Sequence, residues 1–201
     1  METTLWISLA VVGGLVLAGS VLGARHPTIH PVEARVFHAV NGLPDWLYVP
    51  LWLPMQLGNL VVGTLVGLAV AWWAEDWRMA VGVVAAMGLK LLAERLVRKW
   101  MAGYLSVRQR PGTSETGAKL RGKDVPSSGM SFPSGHIILV AGIAAVVSND
   151  LPGVLSPWPF VLTLLVMLGR VYVGAHNPLD VTAGLGAGLL VGAALDLVLG
   201  F

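Results

Sequence analysis

Toward the C-terminal end of the chain, an arginine precedes a histidine by six residues and an aspartate follows it by four, as Arg170, His176 and Asp180. The intervening Asn177-Pro178 predicts a helix start, because asparagine is a frequent N-cap and proline suits the first helical position. Asp180 then lies in the first turn, where its carboxylate can reach the His176 ring. Such a contact fixes the tautomer and leaves the other ring nitrogen as a nucleophile. Taken alone, the pattern fits equally well a capped helix beside an interfacial histidine.

A second segment reads Ser131-Phe132-Pro133-Ser134-Gly135-His136 and precedes an apolar run. Free N–H groups and the positive dipole end make a helix N-terminus an anion site, and Gly135 allows an oxyanion to approach the main chain. His136 in the first turn can protonate a leaving alkoxide. The simpler alternative is that Ser134 is an N-cap and nothing more.

A third segment, Arg108-Gln109-Arg110-Pro111, carries two arginines at the end of a basic stretch. Guanidinium groups bind phosphate oxygens in pairs and stay charged at all relevant pH values. By itself such a segment is more typical of a topology signal or a contact with lipid headgroups.

Composition indicates the environment of these motifs. The chain has 201 residues, of which 55% are hydrophobic and 12% charged, whereas a soluble domain carries about 25% charged residues. The mean hydropathy is +0.74. The absence of cysteine from the sequence excludes a disulfide framework, a thiolate metal site and a cysteine nucleophile. These values predict an all-α integral membrane protein, with the bilayer as a partner and no nucleic-acid partner.

Six apolar regions predict about six transmembrane helices, since a span needs about 20 mostly apolar residues. They are Leu5 to Leu22, Leu47 to Leu60 running into Val61 to Trp73, Met79 to Val97, His136 to Val147, Phe160 to Val173, and Leu179 to Leu199. The first could be a signal peptide, but no Lys or Arg precedes it, which favours a membrane helix. The second contains Pro50 and Pro54, which indicates an interfacial segment that leads into one crossing.

The number of spans brings the three motifs together. If the third to sixth spans are real, the segments after the third, before the fourth and between the fifth and sixth lie on one face of the membrane. Gly184, Gly188 and Gly192 in the last span indicate close packing against a neighbouring helix. His26 and His30 invite a metal reading, but a short interfacial helix from Pro31 to Val40 is the more ordinary interpretation.

In this order, Arg-Pro, Pro-Ser-Gly-His and Arg-x5-His-x3-Asp resemble the tripartite signature of the type 2 phosphatidic acid phosphatase superfamily, which is related to vanadium haloperoxidases. The resemblance covers roughly Arg95 to Leu199 of a single domain, 1–201. It implies a helical bundle and a metal-independent lipid phosphatase without a cofactor. The residues carried over are the nucleophile His176, the acid His136, the orienting Asp180, and the phosphate ligands Arg110, Arg170, Ser134 and Gly135.

The chain departs from this signature in two places. Gly103 stands where the first motif has lysine, and Gly169 stands where the third has serine. Lys99, one helical turn before Gly103, is the first candidate for the missing cation, and Arg108 is the second.

The resemblance implies two in-line displacements on a lipid phosphomonoester or diphosphate, through a phosphohistidine on His176. The substrate could be a polyprenyl or a glycerolipid phosphate. A phosphotransferase that passes the phosphoryl group to another lipid would use the same residues. A non-enzymatic carrier would need polar residues within several spans, where mainly Asn59, Lys90 and Asp196 occur. Lys90 and Glu94 fit an ordinary helix pair, and an oligomer is possible but not indicated.

The distribution of Lys and Arg between the two faces indicates which side of the membrane the motifs face. Lys119, Arg121 and Lys123 lie in the loop on the motif face, while the opposite face carries Arg78. The positive-inside rule predicts that the motifs face the cytoplasm. The resemblance favours the other side, because many bacterial members act on the outer leaflet.

Overall fold

The computed structural model describes residues 3–26, 28–104 and 108–201, and the chain is all-α, as the sequence predicts. Within these ranges it forms nine α-helices, two 3₁₀ turns at Asp45–Leu47 and Gln56–Gly58, and one isolated β-bridge between Gln109 and Met130. The helices are α1 Thr3–Gly23, α2 Pro31–Asn41, α3 Tyr48–Met55, α4 Leu60–Trp73, α5 Trp77–Tyr104, α6 Pro111–Ser114, α7 Gly135–Ser148, α8 Trp158–Tyr172 and α9 Pro178–Leu199.

By length and hydropathy, α1 and α9 can each cross a membrane, and the bent pair Asp45–Gly58 and Leu60–Trp73 counts as a third candidate in the described ranges. The pair bends by 76°. The bend falls at Asn59, whose side-chain oxygen caps α4 by accepting hydrogen bonds from Val61 and Val62 N–H at 2.9 and 3.3 Å. The predicted division of this region into two segments is therefore observed as a break in helix direction. Helices α7 and α8 are apolar but shorter, with 14 and 15 residues.

Helix α7 is the centre of the bundle, and every residue from Ile137 to Ser148 is buried. The surrounding helices expose apolar side chains outward instead, such as Leu15, Trp72 and Val198 at 70%, 86% and 79%. A helix that is apolar on all sides belongs in an interior, and an apolar outer surface belongs in lipid. The chain therefore folds as a membrane bundle around α7.

The predicted packing stripe in α9 is confirmed, and its partner is α7. A Cβ added at Gly184 would lie 2.7 Å from Ser134 O, one at Gly188 2.6 Å from Ala141 Cβ, and one at Gly192 2.2 Å from Ala145 Cβ. Side chains at these glycines would push the two helices apart. Because α7 begins beside His136 and α9 beside His176, this close approach fixes the two histidine-bearing helix starts next to each other.

Candidate active site

Backbone hydrogen bonds tie the three motifs to one another at one end of the bundle. Ser131 N–H donates to Arg108 O at 3.0 Å, and Arg110 N–H donates to Gly129 O at 3.1 Å, which pairs the first motif with the residues before the second. Ser134 N–H donates to Asp180 O at 2.9 Å and joins the second motif to the third. The structure thus brings the three segments together, as the predicted order of spans requires.

A polar cavity of about 490 Å³ opens between these motifs. Its walls include Arg110, Gly135, His136, Arg170 and His176. Five of the predicted site residues therefore share one cavity, at the end of the bundle where α7 and α9 begin. Two histidines and two guanidinium groups facing one space suit a phosphate ester, which needs a nucleophile, an acid and positive charge on its oxygens.

His176 lies in the turn between α8 and α9 and is 3% exposed. Its Nδ1 atom lies 3.7 Å from Asp180 Oδ2, which is within the range of an ion pair but longer than a hydrogen bond. Burial lowers the pKa of the His176 ring from its ordinary value, the contact with Asp180 opposes that shift, and Arg170 adds to it. Burial therefore favours the neutral form of the ring, which is the form that attacks as a nucleophile.

Asp180 is held in place by the start of α9. Its Oδ2 atom accepts a hydrogen bond from Asn177 N–H at 2.8 Å, and Pro178 occupies the first helical position, as predicted. Asn177 is the N-cap residue, yet its Oδ1 atom has no hydrogen-bond partner in the described part of the chain. Its amide nitrogen donates instead to Gln109 O at 3.4 Å and to Ser114 Oγ at 3.3 Å. Asn177 thus connects the third motif to the first.

Arg108 occupies a different place from the one that the sequence suggests. Its side chain is fully buried, its Nε donates to Asp180 Oδ1 at 2.8 Å, and its Nη2 donates to Glu33. Glu33 also accepts a hydrogen bond from Leu179 N–H at 2.9 Å. Arg108 is absent from the cavity wall. The structure therefore places it behind Asp180, as a brace between that carboxylate and α2, because two buried carboxylates need a cation between them.

The two remaining motif arginines lie in the cavity wall. Arg110 donates from Nη1 to Ala175 O at 2.9 Å, which fixes its guanidinium beside the residue that precedes His176. Arg170 has a buried Nε atom without a hydrogen-bond partner among the described residues. An unpaired buried donor of a charged group is costly, and an anion entering the cavity would satisfy it.

The second motif presents only part of its predicted cradle to the cavity. Ser134 is fully buried, is absent from the cavity wall, and has an Oγ atom without a partner among the described residues. Gly135 is in the wall, but the Glu94 carboxylate fills the space beside it: an added Cβ would overlap Glu94 Oε1 at 1.5 Å. His136 packs against Gly58. A Cβ added at Gly58 would lie 2.8 Å from the Cβ of His136.

Lys99, proposed from the sequence as the missing cation, is exposed and lies outside the cavity wall. Gly103 lies in a stretch of α5 whose side chains fall outside the described residues. The wall instead contains Lys90 and Glu94, whose Nζ and Oε2 atoms form an ion pair at 3.0 Å. The prediction of a helix pair is confirmed, but its position in the cavity was missed.

A signal for this pair was present in the sequence. Met79, Val83 and Ala86 are buried on one face of α5, and Lys90 and Glu94 continue the same stripe at helical spacing. Ionisable residues on the inward face of a membrane helix indicate a functional site. Lys99 follows Lys90 by nine residues, which is about two and a half helical turns and therefore the opposite face.

Two further residues hold the His176 turn, and sequence reasoning missed their role. Asn41 at the end of α2 donates to Lys119 O and to Tyr172 O, both at 2.9 Å. Arg121 donates to Tyr172 O at 2.9 Å and lies over the Tyr172 ring at 4.3 Å. Gly174 follows with a φ of +77°, and an added Cβ would lie 2.7 Å from Lys119 O. The turn before His176 therefore requires glycine.

His26 and His30 do not form part of a metal site in the described ranges, where no group of three or more His, Asp or Glu side chains is positioned to hold a metal ion. His30 instead caps α2, and its Nδ1 atom accepts a hydrogen bond from Val32 N–H at 3.3 Å. The short helix that the sequence predicts from Pro31 to Val40 is observed as Pro31–Asn41.

Comparison with known proteins shows which family and fold the chain resembles. Residues 77–199 match the profile of the PAP2 superfamily. Decaprenylphosphoryl-5-phosphoribose phosphatase of Mycobacterium tuberculosis is 32% identical over 143 residues, which are 71% of this chain and 72% of that protein.

Two crystal structures share the fold. LpxE of Aquifex aeolicus has a TM-score of 0.66 and 21% identity and covers 80% of this chain and 92% of its own. The first transmembrane PAP2 type phosphatidylglycerolphosphate phosphatase from Bacillus subtilis has a TM-score of 0.64 and 19% identity and covers 98% and 94%. At this level of identity the two structures support the fold and not the substrate.

Proposed function

Because the chain belongs to the PAP2 superfamily, and is thus an integral membrane lipid phosphatase of a metal-independent family, we propose that it hydrolyses a lipid-linked phosphate ester through a phosphohistidine on His176. The observation that carries this proposal is the polar cavity in which His176, His136, Arg110 and Arg170 face one another. The cavity lies at the end of an apolar bundle, where a lipid in the bilayer presents its headgroup.

The reaction consists of two displacements at phosphorus. The Asp180 contact at Nδ1 leaves Nε2 of His176 as the attacking atom, and the bond from phosphorus to the lipid oxygen breaks as the new phosphorus–nitrogen bond forms. His136 gives a proton to the departing alkoxide. His136 then takes a proton from water, whose oxygen attacks phosphorus, the phosphorus–nitrogen bond breaks, and inorganic phosphate leaves.

Three cations are positioned to hold the phosphate oxygens during these steps. Arg110 and Arg170 supply planar guanidinium groups, and Lys90 supplies an ammonium in place of the lysine that Gly103 replaces. The Nη2 atom of Arg108 donates to Glu33 and its Nε to Asp180, and its buried Nη1 has no hydrogen-bond partner among the described residues. Because Arg108 does not line the cavity, we assign it to positioning Asp180. Fixed positive charge around the transferring group contributes a large part of phosphoryl-transfer catalysis. The buried Ser134 hydroxyl, without a partner in the described part of the chain, is a further donor beside the cradle.

Six crossings fit this function. We assign them to α1, the α3–α4 pair, α5, α7, α8 and α9, within a single domain of residues 1–201. Helix α7 rises about 21 Å and α8 about 23 Å, less than the hydrocarbon core of about 30 Å. Helix α7 is buried in the bundle, and local thinning of the bilayer beside α8, which exposes Leu164, would accommodate the two shorter helices. The three motifs then share one face of the membrane.

The substrate class is a lipid phosphate, and the relative named decaprenylphosphoryl-5-phosphoribose phosphatase favours a polyprenyl-linked phosphomonoester over a glycerolipid phosphate. The test is release of inorganic phosphate by purified protein in detergent from polyprenyl phosphate, polyprenyl-linked sugar phosphate, phosphatidic acid and phosphatidylglycerol phosphate.

His176→Ala and His136→Ala should each lower turnover by at least about 100-fold while the protein remains folded. Lys99→Ala is the matched control on the exposed face of α5 and should retain turnover within about twofold. Retention of more than a tenth of wild-type turnover by either histidine variant would refute the assignment.

A further inference from the structure

The cavity contains a carboxylate that phosphate hydrolysis does not need. Glu94 lies in the same wall as the two histidines and the two arginines, and its side chain is 19% exposed. A carboxylate repels a phosphate group, and Lys90 at 3.0 Å offsets that repulsion only in part. Its presence calls for a ligand group that donates hydrogen bonds, because an ionised carboxylate only accepts them.

The same cavity wall offers complementary groups. Gln56 uses its amide nitrogen to donate to Trp52 O at 3.2 Å, which leaves its carbonyl oxygen as an acceptor. Asn59 uses its carbonyl oxygen to cap α4, which leaves its amide nitrogen as a donor. Trp52 also lines the cavity and is 46% exposed, so it adds an aromatic surface beside these polar groups. Acceptors, a donor and a ring face together fit the hydroxyl groups and the C–H face of a sugar.

The size of the cavity agrees with an occupant larger than phosphate. Its volume of about 490 Å³ lies within the range of about 300–1,000 Å³ found for small-molecule sites. If the substrate were a phosphatidic acid, the space beside the phosphate would receive ester groups and acyl carbons. These groups donate no hydrogen bonds, and they would give Glu94 no donor beyond its ion-pair partner Lys90.

We propose that Trp52, Gln56, Asn59 and Glu94 form a headgroup subsite that binds a hydroxyl-bearing group, such as a pentose, between the scissile phosphate and the lipid. This inference rests on the proposed function and adds the residues that select the substrate. Glu94 accepts hydrogen bonds from sugar hydroxyls, while Lys90, its ion-pair partner, turns to the phosphate oxygens. The short distance from Glu94 to Gly135 places the selected hydroxyls next to the cradle.

Two synthetic substrates with the same alkyl chain test the subsite: dodecyl ribofuranoside 5-phosphate, which carries ring hydroxyls, and dodecyl phosphate, which does not. The wild type should show a higher kcat/KM for the riboside. Glu94→Gln keeps the shape and removes the charge, so the ratio of the two kcat/KM values should fall by about 10- to 100-fold, the worth of a hydrogen bond to a charged group. Glu75→Gln, in the exposed turn between α4 and α5 and away from the cavity, is the control and should keep the wild-type ratio of the two kcat/KM values.

A second measurement tests the subsite if the Glu94→Gln variant folds poorly. Dodecyl ribofuranoside without phosphate should inhibit the wild type competitively, and Glu94→Asp, which keeps the charge but shortens the side chain, should weaken that inhibition. If the wild type releases phosphate from neither substrate, the proposed function fails. If it hydrolyses both and the ratio is the same in wild type and Glu94→Gln, or the riboside does not inhibit, the headgroup subsite is wrong and the proposed function stands.

Discussion

Replacing Arg108 with methionine should remove the guanidinium that joins Glu33 to Asp180 while keeping an unbranched side chain that fills part of the same space. Both carboxylates are buried, at 7% and 0% exposure, and each accepts a hydrogen bond from Arg108. In the variant they would face each other without a cation. We therefore expect a large loss of stability, together with misplacement of the Asp180 carboxylate that contacts His176.

The size of the effect follows from this burial. Removing one partner of a buried ion pair costs about 3–5 kcal/mol, and 1 kcal/mol shifts the melting temperature of a chain of this length by about 2–4 °C. Arg108→Met should therefore melt about 6–20 °C below the wild type. Glu33→Gln alone should also destabilise, by about 1–3 kcal/mol, because it weakens a charged hydrogen bond.

The decisive variant is the double substitution. In the Arg108→Met background, Glu33→Gln removes the repulsion between Glu33 and Asp180, so it should raise the melting temperature instead of lowering it. Tryptophan fluorescence during heating in detergent follows unfolding, and phosphate release follows the expected loss of turnover. Arg78→Met, which removes a half-exposed cation at the other end of the bundle, should shift the melting temperature by no more than about 4 °C. If Glu33→Gln lowered the melting temperature equally in both backgrounds, the brace would be refuted.

Three further predictions concern catalysis and topology. Because burial lowers the pKa of His176, the ring stays neutral as the pH falls, and the acidic limb of the kcat/KM profile should lie below about pH 6.5, the ordinary histidine value. The profile is first corrected for the ionisation of the substrate. An acidic limb above about pH 6.5 would contradict the proposal of a neutral, buried ring. Full turnover should survive excess chelator, and vanadate should compete with substrate; a strict Mg²⁺ requirement would favour a metal-assisted mechanism over the phosphohistidine. For sidedness, we expect the motifs to face the cytoplasm, so an impermeant maleimide on intact cells should label a cysteine at exposed Val154 and spare one at exposed Ser128; the reverse pattern would place the site outside.

Several features of this protein followed from the sequence because they depend on residues close together along the chain. Asn177-Pro178 determines where α9 begins, and four-residue spacing then puts Asp180 within reach of His176. The same helical period aligns Gly184, Gly188 and Gly192 on one face, which α7 approaches closely. Composition determined the membrane class, since a chain with 12% charged residues cannot form a polar surface.

Which basic side chains lie in the cavity was determined by the tertiary structure alone. Arg108 and Arg110 are two positions apart, yet one braces Asp180 and the other lines the cavity. Glu33, which determines that difference, lies 75 residues from Arg108 along the chain. The spacing of residues around Arg108 therefore cannot predict their contact. The lysine of α5 that lines the cavity is likewise Lys90 and not Lys99, because the face of α5 that packs against α7 also faces the site. Whether a charged side chain lies in a site depends on the groups around that side chain in space, and these are determined only when the helices pack together.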